Sequence, residues 1–382
     1  MSPSALFVTT VPVTLEAFLL PFAEHFRAQG WRVDALANGA TLNPKMTGSF
    51  DACYDVEWSR NPLHPRNLLG TAAEVRRIVA VGGYDIVHVH TPVAAFVTRF
   101  ALRRGRTGSR PAVIYTAHGF HFYEGQRRLP HLLFRTLERT AARWTDYLIT
   151  INREDFEAAR GFGTIDPDKV SYVPGIGVDV TRFGENAVPA EAAAAVRGEL
   201  DLAPHALMLT MVAEFSPVKR HAHVLDALSR VHDPRVVLVL VGDGPLEPEV
   251  REEVRKLGLA ERVRFAGYRR DVPSVLAASD ALVLASEREG LPRSVLEAMA
   301  AGVPVIGADT RGIADAVADT GWIVPKYDSA ALAAAIDEAA AHPDEVARRG
   351  RAARLRAEAE FALPRIITAH EDLYREALAS RV

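Results

Sequence analysis

Apolar runs alternate with amphipathic stretches along the whole chain. Leu6 to Val11 reads as a buried strand, Leu15 to Gln29 as an amphipathic helix closed by Gly30, and Arg32 to Ala37 as a second strand. From Asn38 to Pro65 the periodicity fades and turn formers gather, which predicts a long loop with a short strand near Cys53 to Val56. Asp85 to His90 reads as a strand and Pro92 to Arg104 as a helix; Ala112 to Thr116, Tyr147 to Ile151 and Val170 to Val173 complete a first sheet. The plan then repeats, with strands at Leu207 to Ala213, Val236 to Val241, Val263 to Phe265, Ala281 to Ala285, Val303 to Ile306 and Trp322 to Val324. Strand–helix alternation of this kind predicts an α/β protein with parallel sheets. Gly175, Gly177, Gly184 and Pro189 mark a seam. The expected domains are 1–185 and 186–364, each Rossmann-like, followed by a helical tail after Pro364.

Composition narrows the class. The 382 residues suffice for two domains, each with its own core. No apolar run reaches the roughly 18 residues of a membrane span. The start lacks a basic n-region, so no signal peptide is expected. The single Cys53 excludes an intrachain disulfide and a cysteine metal cluster. A cytoplasmic location is the default expectation, with peripheral contact at the inner face of a membrane left open. A net charge of −3 argues against general nucleic-acid binding.

The chemistry concentrates between Ser286 and Ile306. There a buried strand ends, a Gly290-Leu291-Pro292 loop follows, a helix runs to Ala301, and Gly302 and Pro304 stop it. Pro292 suits the first helical turn, where its missing N–H costs nothing. The loop thus delivers backbone N–H groups and a positive dipole end to the carboxyl edge of a parallel sheet, an anion site suited to a diphosphate. Two carboxylates bracket it, Glu289 before the helix and Glu297 inside it. Ionised carboxylates only accept hydrogen bonds, so they suit sugar and ribose hydroxyls on either side of the diphosphate. A helix entrance with solvated acids is the plainer alternative.

Glu289-x7-Glu297, with Gly290-Leu291-Pro292 after the first Glu and Ala298-Met299-Ala300-Ala301-Gly302-Val303-Pro304-Val305 after the second, resembles the motif of family 4 glycosyltransferases. The resemblance is strongest from Ala213 to Pro325 and is nearest to bacterial exopolysaccharide-type members. It implies a retaining enzyme of the GT-B fold, with two Rossmann-like domains facing across a cleft. It also implies a last helix, 365–382, that packs back on the first domain. A nucleotide sugar, expected to be a UDP-sugar, would bind the second domain through Gly290, Leu291, Pro292, Arg293, Ser294, Val295 and Glu297. The acceptor would be a glycan, a lipid-linked glycan or a small natural product, bound on the first domain near Val11 to Phe18 and Phe120 to Arg128.

Other residues take roles beside this motif. Lys219 opens a helix after the first strand of the second domain and can reach a diphosphate; a solvated helix-start lysine is its plainer reading. It matches the family's lysine, while Glu214 stands where the family carries an Arg, leaving Arg220 and Arg293 as candidate replacements. Gly242 lies at a strand end where a ligand can approach closely. Tyr268 and Arg269 lie on the loop that in the family adjoins the nucleobase. His118 follows a first-domain strand; it matches the family's functional histidine, with His121 as a second contact and Arg127 and Arg128 at the cleft mouth. His118, Lys219 and Glu289 are the expected catalytic residues. His88 and His90 share one strand face and His221 and His223 open a helix, without a third metal ligand evident near either pair. Asp166 and Asp168 read as turn chemistry. No metal and no cofactor is expected. The basic run Arg103 to Arg110 is placed away from the cleft by chain direction. The rival readings are a UDP-sugar 2-epimerase of the same fold and a catalytically silent GT-B partner subunit.

Overall fold

The computed structural model describes residues 2–59, 61–103 and 110–380. Of the basic run Arg103 to Arg110, residues 104–109 lie outside the described residues. The chain divides into two compact units, Met1–Ile176 with Ile366–Val382, and Gly177–Arg365.

The first unit is built on seven parallel strands: β1 (Ser4–Val8), β2 (Arg32–Leu36), β3 (Cys53–Tyr54), β4 (Ile86–Val89), β5 (Ala112–Ala117), β6 (Tyr147–Thr150) and β7 (Val170–Tyr172). Their order is β3-β2-β1-β4-β5-β6-β7. The second unit has six: β8 (Leu207–Val212), β9 (Val236–Val241), β10 (Val263–Gly267), β11 (Ala281–Leu284), β12 (Val305–Ala308) and β13 (Trp322–Val324), ordered β10-β9-β8-β11-β12-β13. Helices cover both faces of such sheets, so strands such as β9, Val-Val-Leu-Val-Leu-Val, are apolar throughout and buried at every position. Each order reverses once, between β1 and β4 and between β8 and β11. At such a switch point the loops leave in opposite directions and open a crevice at the carboxyl edge.

Several boundaries differ from the sequence reading. β1 runs from Ser4 to Val8 because its partner β2 pairs it from Arg32 onward; Val11 instead precedes a helix that begins at Pro12. That helix continues through a wider turn at Leu15–Leu19 to Ala28, with Pro21, which has no N–H to donate, near the start of its last section. The stretch expected as a long loop holds a helix, Pro44–Ser49, started by Pro44 and capped by Asn43, whose side chain accepts from the Lys45 N–H. Pro292 sits at the cap position rather than inside its helix, which spans Arg293–Ala300.

The unit division also falls ahead of the expected 185–186 boundary. Val178 N–H donates to Phe361 O at 2.8 Å and Leu363 N–H donates to Val178 O at 2.9 Å, which ties residues 177 and 178 into the second unit. The last helix, Leu363–Ala379, buries Ile366, Ile367, His370, Leu373, Tyr374 and Ala377. Tyr374 stacks on Phe26 with ring centroids 4.9 Å apart, and Glu371 accepts from Gln29 Nε2 at 3.1 Å.

Candidate functional site

In the second unit, the switch point joins β8 to β11, and the loops after these two strands meet there. Glu287 N–H, after β11, donates to Val218 O, after β8, at 2.8 Å. Beside that bond Lys219 Nζ donates to Glu289 Oε1 at 2.6 Å, with both side chains largely buried. Three neighbours shape the Glu289 loop. Thr310 Oγ1 donates to Ser286 O at 2.8 Å, and Arg311 Nε donates to Glu289 O at 3.1 Å. At Gly312 a Cβ would stand 2.2 Å from Gly290 O, so only glycine lets the loop lie against the helix Arg311–Val317.

The loop ends at the helix Arg293–Ala300. Proline has no side-chain acceptor, so Pro292 at the cap leaves the first turn without a side-chain cap and open to an anion. Glu297 lies one turn inside and accepts from Arg293 Nη2 at 3.0 Å. Burial pushes the Glu297 carboxyl above its ordinary range, with Arg293 opposing the shift. Leu291 and Val295 are buried and help seat the loop, while Ser294 is half-buried at the helix start.

Gly242 brings the neighbouring strand end close. Gly242, at φ +145°, would place a Cβ 2.2 Å from Ala213 O, and its N–H donates to Gly267 O at 2.9 Å. The loop of Tyr268 and Arg269 therefore adjoins the turn of Gly242. Tyr268 is 69% exposed. Arg269 is held by Asp271 and Glu199, at 2.6 and 2.8 Å. Arg220 adopts a left-handed conformation at φ 59°, and its guanidinium lies 4.9 Å from the centre of the Tyr327 ring. Of the two cations considered for the Glu214 position, Arg293 is thus engaged with Glu297 and Arg220 with an aromatic face. Arg311 is a further cation that brackets the loop. Sequence reasoning missed it because it follows β12, outside the motif.

The first unit has its own carboxyl-edge cluster. Thr10 N–H donates to Thr91 Oγ1 at 2.9 Å across the β1–β4 switch point, and Thr91 holds φ 44°, a strained value for a β-branched residue. His118, after β5, lies with its ring 5.4 Å from that of Phe18. His118 Nε2 and His90 Nδ1 are hydrogen-bonded at 3.0 Å, and among the described residues the buried His90 Nε2 has no partner. The His88 ring lies tilted against that of His90 with centroids 4.1 Å apart, and His88 is hydrogen-bonded to Tyr374 and Thr116. Burial lowers all of these histidines below their ordinary range, His118 to about 4. His118 is thus a neutral imidazole whose inner nitrogen is committed to His90. His121 lies with its ring 5.4 Å from Phe134, and Arg127 and Arg128 are exposed. Asp166 accepts from the Asp168 N–H in a turn.

Two doubly wound parallel units, each opening at its switch point, are the architecture of GT-B glycosyltransferases. A family model, Glycosyltransferase Family 4, matches residues 15–182, and a second, Glycosyl transferases group 1, matches residues 195–356. EpsD of Bacillus subtilis, named as a glycosyltransferase, is 32% identical over 381 residues, 98% of this chain and 97% of its own. The chain belongs to this glycosyltransferase family and is an enzyme of that class. An Escherichia coli protein named UDP-Gal:alpha-D-GlcNAc-diphosphoundecaprenol alpha-1,3-galactosyltransferase is 32% identical over 234 residues, 60% of this chain and 59% of its own. Among solved structures, Anabaena HepE in complex with UDP-glucose shares the fold, with a TM-score of 0.80 at 22% identity over 99% of both chains.

Proposed function

We propose that this enzyme moves a hexosyl residue from a UDP-sugar to a hydroxyl of a glycan carried on a lipid diphosphate, with retention at the anomeric carbon. The observation that carries the reading is the Lys219–Glu289 pair at the switch point, next to the uncapped start of the Arg293–Ala300 helix. The pair sets a cation and a hydroxyl acceptor side by side. Lys219 and the helix N-terminus take the diphosphate; Glu289 takes hydroxyls of the transferring sugar, and Glu297 those of the ribose. Named relatives and neighbours support the donor and the acceptor class: one relative's name specifies UDP-Gal and a diphosphoundecaprenol-linked GlcNAc, and one neighbour is bound to UDP-glucose.

In the reaction the bond from the anomeric carbon to the β-phosphate oxygen breaks, and the acceptor oxygen bonds to that carbon on the same face. The acceptor's proton passes to the departing UDP. The protein contributes charge and position, which are large terms at a preorganised site. His118, held neutral, donates a hydrogen bond to a sugar hydroxyl or to the leaving phosphate through its outer nitrogen. Lys219 and the helix supply the positive charge that a metal supplies in other transferases, and we expect no metal or cofactor.

Incubation with UDP-glucose, UDP-galactose or UDP-N-acetylglucosamine tests this, using a short polyprenyl-diphosphate sugar as acceptor. The expected result is acceptor-dependent release of UDP and an α-linked product from the α-linked donor. Conversion of a UDP-sugar to its 2-epimer without acceptor would establish the rival reading, and absence of both would reject transfer from these donors.

A further inference from the structure

The helix Arg128–Ala142 in the first unit presents an unusual outer face. Inward, it is well anchored: Glu138 accepts from the buried Arg99 at 2.9 Å and from the Tyr115 hydroxyl at 3.2 Å, and Ala141 and Ala142 are buried. Outward, its first turns expose three leucines, Leu129 by 82%, Leu132 by 63% and Leu133 by 54%. At about 100° per residue these three share one arc of the helix. Scattered exposed leucines are ordinary, but three together on one helical face are not.

The same face is basic. Arg128, Arg135 and Arg139 form a stripe beside the leucines, with Arg127 and Arg143 at the two ends, and all five are exposed. None has an ion-pair partner among the described residues. Elsewhere in the chain arginines are paired locally, as Arg77 is with Glu74 in the first unit and Arg348 with Glu345 in the second. The one acid between Arg127 and Arg143 is Glu138, and it faces inward.

We propose that this face docks on an anionic lipid bilayer. The three leucines enter the interfacial region at the N-terminal end of the helix, and the arginine stripe lies along the phosphate headgroups. The chemistry favours a bilayer. The leucines stand exposed along one face of the helix, and unpaired arginines complement a layer of negative charge that needs no matched geometry. The inference deepens the acceptor half of the proposed function, because it would bring the residues after His118 to the surface from which a lipid-carried acceptor is presented. The docking itself does not depend on transfer.

Flotation of the full chain with phosphatidylcholine vesicles, with and without phosphatidylglycerol, tests it. The wild type is expected to float with the anionic vesicles only and to be released by high salt. The triple variant Leu129→Gln, Leu132→Gln, Leu133→Gln and the double variant Arg135→Glu, Arg139→Glu should each lose at least about tenfold in vesicle affinity. UDP affinity in the same leucine variant should match the wild type, which separates docking from a folding defect. A wild type that does not bind anionic vesicles, or a leucine variant that binds as well as the wild type, overturns the proposal. So does a wild type that self-associates without lipid through these leucines, since a second copy would then cover the face. A chain that floats as expected yet never releases UDP would keep the docking surface and reject the transferase reading.

Discussion

Glu289 and Glu297 belong to one motif but stand in different surroundings, and they should fail differently. Glu289 is paired with Lys219 and is assigned to the sugar whose ring gains positive character as the phosphate bond breaks. Its negative charge should matter most in the transition state, so Glu289→Gln is expected to lower kcat by one to two orders of magnitude (about 1.4–3 kcal/mol) with little change in donor KM. Glu297 is assigned to ribose hydroxyls, a contact present before and during reaction, so Glu297→Gln should mainly raise donor KM. Its raised carboxyl pKa adds a pH dependence. Glu297 takes up its proton at a higher pH than an ordinary glutamate, so donor KM should rise as the solution is acidified, and this acid limb should vanish in Glu297→Gln. Steady-state kinetics across pH with saturating acceptor checks both. Near-wild-type kinetics in both variants would remove the two carboxylates from the donor site.

At the scale of elements, two junctions carry testable weight. The Glu289 loop lies against the helix Arg311–Val317 only because Gly312 has no side chain. Gly312→Ala should push Gly290 aside and weaken UDP binding, at a stability cost of roughly 1–3 kcal/mol. Unchanged UDP affinity would show that the loop's seat is unimportant. The second junction is where β4 and β5 meet the C-terminal helix, with His88, His90 and His370 buried, His118 half-buried beside them, and Phe7, Phe22, Thr116 and Tyr374 around them. Burial holds His118 and His370 at about 4, whereas an unfolded histidine titrates near 6.5. The stabilisation is therefore complete above about 6.5 and is lost as pH falls from there toward 4, roughly 2 kcal/mol for each such histidine by about pH 5. Thermal melting of the first unit should fall steeply over that window, and less steeply in His370→Leu. Parallel curves would contradict it.

Seen as a whole molecule, much of the plan was legible because it rests on local rules. Buried parallel strands read as apolar runs, and Gly302 and Pro304 stop a helix wherever it packs. Pairings across the sheets were not legible. Lys219 and Glu289 are 70 residues apart, and only the adjacency of β8 and β11 makes them partners. His90 and His118 are 28 apart and meet because β4 and β5 are neighbours. The helix Pro44–Ser49 escaped notice because it is short and buries only Met46, too little for periodicity to show. At this scale the account also predicts transfer in excess EDTA, since protein groups supply the positive charge; a rate that collapses and returns with Mg²⁺ or Mn²⁺ would contradict it. The central claim is that the switch point of the second unit binds the donor's diphosphate, and calorimetric titration with UDP tests it most directly. Wild type should bind, and Lys219→Ala should bind more weakly by roughly 1.5–3 kcal/mol, about 10- to 150-fold, with the fold intact. Equal affinity in the two proteins would contradict the account.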